Sequence, residues 1–507
     1  MTLGSVALSS CDMNENQPGV IPDTNGIETA EDCKSFRNNL YSSLRALMAG
    51  DYITYTELES DFYVGIVGNG NRGMALSTGT ITSASTDITD SYTGAYSVLK
   101  NVNFLLEKGE ALLEGGTLSD AETADVKRYL AEVHFMRGYF YYYLFDHYCQ
   151  AYTAEKADQE GLGLSLVTVY APTGDTSKYP GRSTMNQVKK LVDADLAAAF
   201  TGLQEYEQTN TSFCEPNAPY LSTYAVAALQ ARWALLTQDY TTAVNKANYV
   251  IESKKFPLAK GSNYTKMWTN DQGTELIFVP FVDASEADYI GSFNDAWNYY
   301  ANFPTRVDYI PTNATISLYD ENFDVRFDSF FTGAEITVSG SNYACYIMSK
   351  FPGNNSLISG TNYYKNKPKP FRTSELYLIV AEACATQGAA YNVTTANKML
   401  NDIKKARYTG SNFQEVSYSG VDLTNEIRKE RAKELIGEGY RISDLRRWGL
   451  GFKRDGSYPL APETEEAIIV STANVNFAAD DYRYVWPIPS SEMEINPQLK
   501  GQQNPGY

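Results

Sequence analysis

"STYAVAALQARWALLTQDYTTAVNKANYVIES", residues 222–253, holds a small fold of its own. Small and apolar residues fill its first half. Gln238-Asp239-Tyr240 then makes a short turn, and Ala243, Ala247 and Val250 recur at helical spacing. Side chains three or four positions apart share one helix face, so the spacing predicts two helices joined by a tight turn. Alanine on the facing sides lets two antiparallel backbones approach closely. The segment reads as a helix hairpin.

Outward from it the signature recurs. "ELYLIVAEACATQGAAYNVTTANKMLNDIKKAR" (375–407) is a second hairpin with a longer turn. A third pairs 119–149, with its tyrosine-rich run "HFMRGYFYYYLFDHY", with 183–200 across an insert rich in Gly, Pro and Tyr. The fourth pairs 32–50 (Phe36, Leu40, Leu44, Leu47) with 91–109 (Tyr92, Tyr96, Leu99, Leu106). These are tetratricopeptide-like units whose fixed period is hidden by insertions of differing length. The predicted fold is mostly α: four tetratricopeptide-like helix pairs as scaffold, with long loop-rich insertions and little β structure. Residues 254–370 carry only short β-like runs such as "ELIFVPFV" (275–282). Long irregular segments on a rigid scaffold are where binding residues concentrate.

Composition narrows the function. The 507 residues carry 61 acidic against 42 basic side chains, a net charge of −19 that repels nucleic acid. His134 and His147 are the two histidines. Their separation puts them on nearly opposite helix faces, which excludes a histidine-rich metal site. The six cysteines show neither zinc spacing nor a disulfide framework. No stretch is long and apolar enough to span a membrane. At the N-terminus, "LSSC" ending at Cys11 resembles the lipobox of bacterial lipoproteins, with cleavage before an acylated cysteine. Residues 1–10 then read as a truncated signal peptide without a basic region, and 11–25 as the lipidated cysteine and a flexible tether.

"ERAKELIGEGYRISDLRRWG" (430–449) raises a catalytic alternative, because Glu430, Glu434 and Glu438 recur every four residues. Retaining glycosidases hold two carboxyls about 5–5.5 Å apart, close to the spacing of such neighbours on a helix. Catalytic carboxyls flank a bond from two sides, however, whereas these project from one helix in parallel. Arg431 with Glu434, and Arg441 with Glu438, are the expected ion pairs, and they oppose the raised pKa of a general acid. The cluster reads as architecture.

"IRKERAKELIGEGYRISDLRRWG" (427–449) and "YVWPIPSSEMEINPQLKGQQNPGY" (484–507) resemble the signature and the ending of SusD/RagB-like lipoproteins of Bacteroidetes. "FRTSELYLIVAEA" (371–383) and "YDENFDVRFDSFF" (319–331) resemble further motifs of that family. The resemblance implies an N-terminal helical region (26–253) and a loop-rich and C-terminal region (254–507). It also implies a lipid-anchored protein at the outer membrane, facing the exterior. Such a protein captures oligosaccharides for a SusC-type TonB-dependent transporter, without catalytic residues, metal or cofactor. A RagB-like lid for peptides is the alternative, and a glycoside hydrolase a third reading. The shared motifs do not carry ligand residues, so the site is read from the loops. Aromatic rings stack on sugar C–H groups beside polar side chains that bind hydroxyls. Asn294, Asp295, Trp297, Tyr299 and Tyr300 form one candidate set; Tyr63, Asn69, Asn71 and Arg72 form another. Trp268 is a weaker candidate, and Trp233, Trp448 and Trp486 read as core.

Overall fold

The computed structural model describes residues 26–66, 73–286, 307–338, 340–357, 365–410, 413–454 and 475–507. Its first half runs α1 (Ala30–Leu47), α2 (Asp51–Glu59), β1 (Tyr63–Gly65), α3 (Met74–Ser77), α4 (Thr86–Glu114), α5 (Asp120–Tyr148), α6 (Met185–Glu207), α7 (Thr223–Leu236) and α8 (Tyr240–Ile251). There follow α9 (Ser262–Thr269), β2 (Leu276–Phe278), β3 (Tyr309–Pro311), α10 (Asn313–Ile316), α11 (Val325–Phe330), β4 (Phe331–Val338), β5 (Ser341–Met348) and β6 (Phe371–Arg372). The C-terminal part holds α12 (Thr373–Ala385), α13 (Val393–Arg407), α14 (Gly420–Leu435), α15 (Arg441–Trp448), β7 (Phe452–Arg454) and β8 (Val475–Phe477). The chain is mostly helical, as the periodicity predicts.

The helices begin where side chains can satisfy their free N–H groups. Thr29 with Asp32, Ser119 with Glu122 and Thr184 with Gln187 form reciprocal capping boxes on α1, α5 and α6. Ser222, Asp239 and Asn392 cap α7, α8 and α13. Three of the predicted pairs are present as α5–α6, α7–α8 and α12–α13, and α12 also packs on α8, so the pairs stack. The remaining pair differs, because α1 lies against α5 as well as α4. Phe36 meets Phe104 of α4 at 5.3 Å, while the Arg37 guanidinium reaches Glu132 of α5 at 3.2 Å. One apolar stripe and one buried cation thus bind α1 to two neighbours.

Close approach within α5–α6 depends on glycine. A Cβ added at Gly202 would sit 2.7 Å from that of Ala131, and one at Gly138 would lie 3.1 Å from Leu196. Gly202→Val is therefore expected to cost about 1–3 kcal/mol by overpacking. A thermal melt checks it, and an unchanged melting temperature would refute the close contact.

The principal core runs from Leu40 through α5 and α7 to Trp486 and Leu499. Tyr139, Tyr141, Tyr142, Tyr143 and Tyr148 of the tyrosine run are all buried in it. Hydroxyls explain why several are Tyr rather than Phe: Tyr141 donates to the Val167 carbonyl at 3.0 Å, and Tyr148 to that of Ile88 at 2.7 Å. A second core gathers Tyr264, Trp268, Phe330, Met348 and Phe351. The β4–β5 hairpin, eight residues on each strand, is longer than the short β runs expected from the sequence. Its inward Ile336, Val338, Cys345 and Ile347 pack on Val64, Ile66, Val307 and Ile310, forming a third small core beside β1 and β3.

Candidate functional site

Glu430 and Glu434 of α14, and Glu438 just beyond it, are architectural, but their partners are not those expected. Glu430 and Glu434 are buried, and the Glu438 side chain is only 10% exposed. Glu434 accepts from Arg372 at 2.9 Å, from Arg407 at 2.8 and 2.9 Å, and from Arg326 at 3.1 Å. Burial pushes its carboxyl up, yet Arg407, Arg372 and Arg326 outweigh that and hold it well below the usual carboxylate range. Glu438 accepts from Arg372 at 2.5 Å and from the Lys350 ammonium at 2.6 Å. Glu430 pairs with Arg326 at 2.7 Å. The expected short-range partners are engaged elsewhere: Arg431 donates to Asp444 at 2.7 Å, and Arg441 to Asp61 at 2.8 Å. A carboxylate enclosed by three guanidinia has no open side for a substrate. The group clamps α14 to α11, β6 and α13.

Of the loop residues singled out by sequence, Tyr63 falls among the described residues, and it is a correction. It is 0% exposed in β1, packed edge-on against Phe62. Strand alternation next to a buried partner strand takes it into the core, so it offers no ring to a ligand. Asn69, Asn71 and Arg72 lie outside the described residues, as do Asn294, Asp295, Trp297, Tyr299, Tyr300 and Cys11. The bases of the two candidate segments are described, however, and they meet. β1 pairs antiparallel with β3 in the register Tyr63 to Pro311, Val64 to Ile310 and Gly65 to Tyr309. The Ile66 N–H donates to the Asp308 carbonyl at 2.8 Å, continuing the ladder to the last described residues on each side. Two strands more than two hundred residues apart in the chain thereby lie side by side.

The tryptophans divide differently from expectation. Trp268 is buried at 1% exposure, stacked under the Lys350 ammonium at 4.4 Å, and is core rather than ligand platform. Trp233 and Trp486 are core, as read. Trp448 is only half-buried and lines a cleft of about 390 Å³ between α14 and α15, lined also by Phe452, Lys453, Asp61 and Phe62. The sequence signal was present in Asn425, Arg428, Lys429 and Ala432, which share one face of α14. No cluster of three or more His, Cys, Asp or Glu suited to a metal occurs among the described residues. The two histidines serve separately, His134 beside Asp195 at 2.8 Å and His147 against the Tyr143 carbonyl at 2.7 Å.

The described residues thus form stacked helix pairs with small β hairpins packed beside them. The chain belongs to the SusD/RagB family. Residues 288–507 match the SusD family model, and residues 22–233 match a SusD-like model described as starch-binding, associating with the outer membrane. A SusD superfamily protein of Bacteroides thetaiotaomicron is 25% identical, with a TM-score of 0.74 over 94% of this chain and 100% of that one. A laminarin-binding SusD-like protein is 18% identical, with a TM-score of 0.70 over 95% and 100% of the two chains. Surface glycan-binding protein A of Bacteroides fluxus is also 18% identical, with a TM-score of 0.65 over 95% and 100%. No curated protein sequence matches this one.

Proposed function

We propose that this protein captures oligosaccharides at the cell surface and passes them to a SusC-type TonB-dependent transporter. In this reading a lipid on Cys11 anchors it to the outer membrane, facing the exterior. It acts as a binding protein, without cofactor or catalytic residue. The observation that supports the reading is the β1–β3 ladder, which pairs Tyr63–Ile66 with Asp308–Pro311, the described strands that adjoin the two segments in the chain. Trp297, Tyr299 and Tyr300 supply sugar-stacking rings, and Asn294, Asp295, Asn69, Asn71 and Arg72 supply hydroxyl partners. The glycan-binding and laminarin-binding descriptions of two structural neighbours support the same ligand class.

A panel of neutral oligosaccharides and peptides, measured by calorimetry, tests this. At least one oligosaccharide is expected to bind, and Trp297→Ala to weaken it about tenfold or more. Silence toward every sugar with binding of peptides would replace the glycan reading with the peptide one. The transporter is expected to co-purify with the protein from detergent-solubilised outer membranes, and its absence would remove the handover step.

A further inference from the structure

The cleft between α14 and α15 carries charge that the scaffold does not consume. Arg428, Lys429, Arg441 and Lys453 line it, with Asp61 the one acidic residue among the described residues on its wall. Arg441 takes up that carboxylate in a two-pronged contact, at 2.8 and 2.7 Å. Arg428, Lys429 and Lys453 pair with no carboxylate among the described residues. In a chain of net charge −19, this is a local reversal of sign.

The geometry is fixed rather than incidental. Asn425, Arg428, Lys429 and Ala432 form one ridge on α14, and Arg441, Leu445 and Trp448 form the facing ridge on α15. The Trp448 indole N–H donates to Glu382 at 2.7 Å, which sets the plane of the ring. The Arg428 guanidinium lies over that ring at 5.1 Å, and its Nε is buried with no acceptor among the described residues. Burial works against the charge of Arg428, and Glu382, itself held by Arg447, offsets this only in part. A carboxylate in the cleft would supply the counter-charge that Arg428, Lys429 and Lys453 lack. The volume, about 390 Å³, lies within the ~300–1,000 Å³ range of small-molecule sites.

We propose that this cleft is a subsite for acidic saccharides, holding the carboxylate of a uronic acid residue on Arg428, Lys429 and Lys453 with its ring beside Trp448. The proposal rests on the glycan-binding reading above and names a class of sugar for a surface that the loop residues do not include. The exposed Asn425 amide next to the cations offers hydrogen bonds to hydroxyls and favours a sugar acid over a bare anion.

The test is calorimetry on the intact protein with a uronate oligosaccharide and a neutral hexose oligosaccharide of equal length. The uronate oligomer is expected to bind, and to bind more weakly as salt is raised. The double variant Lys429→Ala/Lys453→Ala is expected to weaken it about tenfold, and Arg428→Gln by a similar factor, with neutral-sugar binding unchanged. Lys429 and Lys453 are exposed, so their loss leaves the fold intact. Uronate binding indifferent to these variants would overturn the proposal. So would competition by inorganic sulfate at the same concentration as the oligomer, which would reduce the cleft to a general anion site. Binding of the neutral sugar alone would remove this subsite and leave the glycan reading standing. Binding of neither would remove both.

Discussion

Replacing Glu434 with Ala is expected to cost on the order of 3–5 kcal/mol, a large share of the ~5–15 kcal/mol by which a domain is stable. The reason is the company the carboxylate keeps. Arg326, Arg372 and Arg407 are each no more than 1% exposed, and all three donate to it. Glu275, Asp324 and Glu438 would still face these guanidinia, but one of the shared counter-charges would be gone. A buried cation without its full complement cannot return to water while the chain stays folded. Urea unfolding monitored by tryptophan fluorescence measures the effect. A Glu434→Ala protein as stable as the wild type would refute the clamp and reopen the catalytic reading, in which the carboxylate could be lost without cost to the fold.

Glu434 also marks how far the sequence could be read. Its spacing with Glu430 and the neighbouring cations pointed to architecture, and that much was legible. The partners were not. Arg431 and Glu434 do share α14, but Arg431 turns to Asp444, and pairing Glu438 with Arg441 presumes that this helix continues through both. Instead α14 ends at Leu435, and Gly437 and Gly439 take positive φ angles of 76° and 85° that turn the chain back. Only glycine adopts these angles without strain. Glu438 thereby leaves the helical face and meets Lys350 and Arg372, residues far off in the chain. Contacts of that range leave no periodic trace in a sequence. The helix pairs, by contrast, were legible because small residues at helical spacing record a purely local requirement. Tyr63 and Trp448 exchanged roles for a related reason. Burial depends on what the third dimension brings alongside, and the second core encloses Tyr63, whereas nothing among the described residues fully covers Trp448.

Stability is also expected to fall as pH rises from about 6.5 to 9, through Glu57 and Glu59. Both lie on α2 and are fully enclosed. Burial pushes the Glu59 carboxyl up to about 8, with the indole N–H of Trp486 at 2.6 Å and the charge of Arg446 only partly opposing it. Burial likewise raises Glu57 to about 7, against the N–H of Gly439 at 2.7 Å. Folded values above the ordinary 4.5 mean that the folded chain binds these protons more tightly than the unfolded chain. Their contribution is complete below 4.5 and is lost as pH passes through 7 and 8. Glu434, Glu438 and Asp444 have lowered values, so they lose their contribution only in acid, well below this window. Buried His147 acts in the opposite sense, since its lowered pKa costs stability only below its ordinary 6.5. Lys350, lowered by burial to about 8, opposes the glutamates above that value, so the Glu59→Gln comparison is what assigns the loss. Each tenfold change in proton affinity is worth about 1.4 kcal/mol, so the loss is on the order of a few kcal/mol. Urea midpoints at neutral and alkaline pH measure it. Glu59→Gln keeps an acceptor for Trp486 and removes the ionisation, so the variant should be the more stable protein in alkali and show a flatter profile. Parallel profiles for variant and wild type would mean that Glu59 ionises without burden, and that the junction of α2 with the C-terminal segment is open to water.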